Sequence, residues 1–170
     1  HTGHMLALDA YTRQAVDIVT SGRVADALDP KTEDPRVRDR YGSDGSMFLT
    51  ARRLIEAGVR VVGFNWGSWD THSNNFDAMR THGEIMDPAL ASLIEDLASS
   101  GMLEKTLVLM LSEFGRTPRI NQNAGRDHHA KVFSCFIAGG GIQGGQVIGS
   151  SDKDGFMPDD RPVKPHDVHA

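Results

Sequence analysis

The apolar pattern of this 170-residue chain predicts a single α/β domain with a mostly parallel sheet, flanking helices and one antiparallel strand. Three observations carry that expectation. Helical periodicities and short β-type runs follow one another in the order helix, strand, long helix, strand, strand. Residues 106–111 and 132–137 are apolar almost throughout, the pattern of strands covered on both faces. Acids, histidines and arginines collect at the ends of these runs, where open sheets bind ligands.

Residues 5–20 place Leu6, Leu8, Ala15, Ile18 and Val19 among polar residues, which predicts an amphipathic helix ended by Ser21-Gly22. Residues 23–42 are polar, with two prolines, and read as short helical pieces on the surface. Ser43 or Asp44 is placed to cap a helix over 45–57. Its apolar set is Phe48, Leu49, Ile55 and Ala57, with Arg52, Arg53 and Glu56 toward water, and Gly58 closes it. A β-branched strand over 59–64 follows.

The spacing of Met86, Leu90, Leu93, Ile94 and Leu97 predicts a helical region over 74–99 that Asp87-Pro88 restarts or kinks and Gly101 ends. Strands 59–64 and 106–111 bracket that helix, so they are expected to be parallel with a right-handed crossover. Strand 132–137 runs into Gly139-Gly140-Gly141, and residues 146–149 suggest a short returning strand. No helix signal follows these glycines, so they do not form a dinucleotide fingerprint.

Bulk properties narrow the function classes. A net charge of −5 argues against a nucleic-acid binder built on a broad basic surface. No run of about 18 apolar residues exists to span a membrane, and no signal peptide is visible. The single cysteine, Cys135, lies in an apolar run and is expected to be a small buried hydrophobe. Both ends read as cut. Gly3-His4-Met5 resembles a cloning remnant, so His1 and His4 are set aside, and Pro165 reads as the opening of a further helix.

Three clusters carry the chemistry: Trp69-Asp70-Thr71-His72, Ser112-Glu113-Phe114-Gly115-Arg116 and Gly125-Arg126-Asp127-His128-His129. Asp70, His72 and Glu113 follow predicted strands and share one sheet edge. His128 and His129 precede the third strand and reach that edge only if this strand is antiparallel. Two carboxylates and two imidazoles suit a divalent cation, zinc or manganese. Such an ion sharpens a nucleophile and offsets charge on a phosphoryl or sulfuryl oxygen. Arg116 and Arg126 are suited to clamp an oxyanion, with Asn65 and Thr71 adding neutral hydrogen bonds.

Simpler readings stand beside this one. Glu113 suits an ion pair with Arg116 or Arg119, and adjacent histidines rarely ligate one ion together. Trp66 and Trp69 suit packing of the strand end onto a helix. His82 is expected to be exposed. Asp152, Asp154, Asp159 and Asp160 lack the ordered spacing of a calcium loop and read as a solvated loop.

In order, the segments Leu49 to Arg60, Trp69-Asp70-Thr71-His72, Asn74-Asn75-Phe76, Glu113 to Pro118, Gly125 to His128 and Ala138 to Gly145 resemble the signatures of the DUF1501 family. That family is placed in the alkaline phosphatase–sulfatase superfamily, and the resemblance covers nearly the whole chain, which looks like the family's C-terminal portion. The resemblance implies a two-metal hydrolase of phosphate or sulfate esters acting on a small anionic ester. By that pattern Asp70, His72 and His128 serve one metal and Glu113 the other. Many superfamily members carry Asp-His where this chain has Glu113-Phe114, and Phe114 cannot ligate. The resemblance implies that the nucleophile comes from an early strand that this chain does not match. The alternative is a non-catalytic relative used as a binding or surface-assembly module. The resemblance also implies export or a periplasmic location. A partial sheet leaves an open edge, expected to be covered by self-association into a homo-oligomer or by the N-terminal helices.

Overall fold

A computed structural model describes residues 2–164 and residue 167, with the side chains of residues 2–8 left out of the description. The chain divides into two compact units, His1–Gly67 with Glu84–Asp96 and Ser68–Gly83 with Leu97–Ala170.

The first unit is helical. Helix α1, Thr2–Thr20, ends at Ser21-Gly22 as expected. The polar stretch after it forms α2, Arg23–Leu28, a 3-10 turn at Pro30–Thr32 and α3, Pro35–Tyr41. Asp34 caps α3, its side chain accepting the Arg36 N–H at 2.8 Å, and Pro35 occupies the first turn where no N–H is needed. Helix α4, Ser46–Glu56, begins too late for Ser43 or Asp44 to cap it; Gly45 holds the cap position and no side chain satisfies it. Its apolar face buries Phe48, Leu49 and Ala51 against a core that also contains Ala27, Tyr41, Ala57, Ala89 and Leu93.

Arg52 and Arg53 do not point to water as their helical positions suggested. Their side chains are only 12 % and 13 % exposed and converge on Glu33, with Arg53 Nη1 2.9 Å from its carboxylate. Burial alone would raise the Glu33 carboxyl, but the Arg53 hydrogen bond and the Arg52 charge outweigh it and hold Glu33 below its usual range. Tyr41 donates to Asp96 Oδ2 at 2.8 Å; burial, and then that carboxylate, push its hydroxyl up.

The predicted strand over 59–64 is not a strand. A strand exists only by pairing with a neighbour, and these residues have no ladder, with a bend at Arg60. Val61 stays 86 % exposed, while Phe64 and Trp66 turn back onto Phe48 of α4, with ring centroids 5.1 and 6.0 Å away. The expected parallel pairing and right-handed crossover disappear with that strand. Every strand pairing among the described residues is antiparallel.

Helix α5, Asn75–Ser99, contributes to both units and runs unbroken through Asp87-Pro88. The single ladder bond that Pro88 cannot make does not restart it. It ends at Gly101, with the Met102 N–H on Leu97 O at 2.8 Å.

In the second unit a 3-10 turn at Leu103–Lys105 leads into β1, Leu107–Met110. Short strands β2, Gly115–Arg116, and β3, His128–His129, follow, then β4, Phe136–Gly139. β1 pairs with β4 in the register Leu107↔Gly139 to Met110↔Phe136, so the third predicted strand is antiparallel as expected, although it begins four residues late. Residues 146–149 form no strand; the nearest pairing is an isolated bridge, Ser151↔Pro158. Coverage on both faces is not found: Leu107, Leu109 and Met110 are exposed, and so is Cys135. The ribbon has only two strands, so no third strand flanks either of them among the described residues. The helix opening expected at Pro165 falls outside the described residues. No described helix is long and apolar enough to cross a membrane.

Candidate metal centre

Backbone hydrogen bonds zip the three sequence clusters together. A tight turn links Thr71 N to Trp69 O at 2.9 Å and His72 N to Asp70 O at 3.2 Å. Thr71 is buried; its hydroxyl donates to Asn75 Oδ1 at 2.6 Å and its carbonyl accepts the Arg126 N–H at 3.0 Å. The Ser73↔Ala124 bridge and the Asn75 N–H on Ala124 O, at 2.9 Å, continue the seam. β2 and β3 then tie the third cluster to the second, with Arg116 opposite His128.

Two glycines make this approach possible. At Gly125 a Cβ would lie 2.0 Å from the carbonyl carbon and oxygen of His72, and at Gly115 it would lie 1.8 Å from Val132 O. Any side chain at either position would push the strands apart.

Asp70, His72 and His128 meet at one point, each offering one ligand atom within 4.8 Å of the others. Asp70 Oδ1 is 3.0 Å from His72 Nε2 and 2.8 Å from His128 Nε2, and the two imidazole nitrogens are 3.2 Å apart. All three side chains are about half exposed, so the site opens to solvent. Arg116 Nη2 donates to Asp70 Oδ1 at 2.6 Å. The hydrogen bond with His128, and then that with Arg116, hold the Asp70 carboxyl down at about 2.

The remaining expected residues take other places. Glu113 is exposed, and Asp70 rather than Glu113 is the acid that Arg116 meets. Phe114 lies against the cluster, its ring centroid 4.4 Å from that of His128. Arg126 donates through Nη1 to the carbonyls of Thr117 and Pro118, each at 2.7 Å, and so staples the loop. Strand alternation sends the neighbouring histidines to opposite faces: His129 meets Phe156 O at 2.7 Å while His128 joins the cluster. Trp66 and Trp69 pack onto helices, Trp66 near Phe48 of α4 and Trp69 against His82 of α5 with ring centroids 4.8 Å apart. His82 is therefore half-buried rather than exposed. Asp152 turns its carboxylate to the backbone N–H groups of Asp154, Phe156 and Met157, a self-contained loop.

Sequence reasoning placed Asp127 in the third cluster without giving it a role, and passed over Asn121. Asp127 Oδ1 is 2.8 Å from His72 Nδ1 and accepts from Asn121 Nδ2 at 3.1 Å. The bond with His72 and then that from Asn121 lower the Asp127 carboxyl. The available signal was an acid adjoining a ligand-type histidine.

The fold and site thus define a mixed helix-and-strand protein with a histidine–carboxylate cluster on loops clasped by a two-residue ribbon. The chain belongs to the DUF1501 family: the family model described as "Protein of unknown function (DUF1501)" matches residues 2–170. No curated protein and no solved structure matches it.

Proposed function

We propose that this chain is a metal-dependent hydrolase of phosphate or sulfate esters, or an incomplete fragment of one, kin to the alkaline phosphatase–sulfatase superfamily. The observation that carries the reading is the convergence of Asp70 Oδ1, His72 Nε2 and His128 Nε2 at 2.8–3.2 Å from one another. Ligand atoms each about 2.0–2.2 Å from one tetrahedral zinc ion lie roughly 3.3–3.6 Å apart, so the three atoms need to spread by only about half an ångström to hold one. Two imidazoles and a carboxylate suit zinc, and manganese where further oxygens join. When bound, the ion would polarise an ester oxygen or lower the pKa of water.

The chain's own residues support that role. Asp70 is ionised across the neutral range and offers a permanent negative charge. Arg116 brings a cation to the same oxygen and can turn its remaining N–H groups to an anionic ester. Phe114 walls one side of His128 and limits water there.

Elemental analysis of the purified chain, followed by aryl phosphate and aryl sulfate assays with added zinc or manganese, tests the proposal. Bound metal that is lost in Asp70→Ala supports it; absence of both metal and hydrolysis overturns it. Phe114 favours a second reading, a non-catalytic binding relative, because it fills a position where the superfamily carries a ligand. Stoichiometric metal with no turnover of either ester, in protein that also carries the family's early nucleophile strand, would select that reading.

A further inference from the structure

We infer that Asp127, held by Asn121, is the positioning residue that sets the tautomer of His72 and aims its Nε2 lone pair into the cluster. The inference rests on the metal-site reading above and adds residues which that reading does not require.

Asn121 is fixed by its own loop. Its Oδ1 accepts the N–H groups of Asn123 and Gly125, both at 2.9 Å. The amide therefore cannot flip without losing both bonds, and its NH2 must face the other way. There it donates to Asp127 Oδ1 at 3.1 Å and to the His72 carbonyl at 3.0 Å. One amide thus grips both the backbone of His72 and the carboxylate facing its ring.

An ionised carboxylate only accepts, so at 2.8 Å His72 Nδ1 must carry the hydrogen. A neutral imidazole protonated at Nδ1 has its lone pair at Nε2. That lone pair faces Asp70 Oδ1 at 3.0 Å and His128 Nε2 at 3.2 Å. A lone pair against a carboxylate oxygen is repulsive by itself and becomes favourable with a cation among them. Ligand histidines commonly give their second N–H to a carboxylate, which fixes ring orientation and raises basicity. His128 is held differently, by the ring of Phe114.

Two measurements on the intact chain test this. Nitrogen-15 NMR of the metal-free protein reads the His72 tautomer, and titration with zinc chloride alone reads affinity. The expected result is an Nδ1–H tautomer in the wild type that is lost in Asp127→Ala. Zinc affinity should fall about tenfold to a hundredfold in Asp127→Ala and less in Asp127→Asn, whose carbonyl oxygen still accepts. An Nε2–H tautomer in the wild type, which needs no variant to observe, overturns the inference. So does Asp127→Ala with unchanged tautomer and unchanged zinc affinity. If the wild type binds no zinc, the metal reading fails, and an Asp127-dependent Nδ1–H tautomer still upholds the positioning role.

Discussion

At Gly125 the two site loops touch backbone to backbone, because a Cβ there would stand 2.0 Å from the His72 carbonyl. Gly125→Ala should therefore force the 121–126 loop away from Ser73 and Asn75 and cost about 1–3 kcal/mol. Chemical denaturation measures the loss, and zinc titration should show the cluster weakened in the same variant. Unchanged stability would mean that the seam is looser than its hydrogen bonds imply. In the other unit Glu33 is the residue to watch. Its folded-state carboxyl is depressed below the ordinary 4.5, so the ion pairs with Arg52 and Arg53 stabilise fully above pH 4.5. That contribution is lost as pH falls through the lower folded value. Glu33→Gln should cost roughly 1–2 kcal/mol at pH 7 and flatten the acid side of a stability–pH curve, read by thermal denaturation from pH 3 to 7.

Among the elements, α5 holds an internal conflict. Pro88 sits inside a 25-residue helix and leaves one carbonyl without its N–H partner. Pro88→Ala should raise stability, by up to about 3 kcal/mol, seen as a higher Tm. A fall in Tm would show that the proline ring is packed in a way that alanine cannot replace. The β2–β3 ribbon is the opposite case. It has two residues per strand and little intrinsic stability, yet it sets Arg116 across from His128. Its shortness is why residue patterning did not reveal it: periodicity needs four or more residues to register. The run 59–64 shows the converse error. Val59, Val61 and Val62 have the composition of a strand, but composition cannot supply the neighbour whose carbonyls and N–H groups would complete one.

For the molecule as a whole, the unresolved tension is exposed apolar surface. Leu107, Leu109, Met110, Leu111 and Phe136 all remain exposed on or beside the β1–β4 ribbon, and both of its strands are edges. Unpaired apolar edges template association. The chain should self-associate as concentration rises, and Leu111→Lys, at a position 57 % exposed and outside the ladder, should reduce that association. Sedimentation velocity across a concentration series checks both statements. A wild type that stays monomeric throughout would show that this surface is tolerated in water.

Much of the helical half was legible in the amino-acid sequence because helices are local. The apolar spacing along 74–99, the short helical pieces expected over 23–42 and the stops at Ser21-Gly22 and Gly101 each act over a few residues. The chemistry of the candidate site was legible for a related reason: Asp70, His72 and His128 are residue types whose ligand atoms suit a cation wherever they stand. What only the tertiary structure decided is which groups meet. The sheet proved antiparallel and uncovered because strand partners come from distant segments. Arg116 went to Asp70, Arg126 to the loop carbonyls, and Glu113 stayed in solvent, since each guanidinium follows the acceptors that folding brings near it. Asp127 and Asn121 entered the site only when Gly125 let two loops close to backbone contact, an event that leaves a glycine in the sequence and no sign of what it allows.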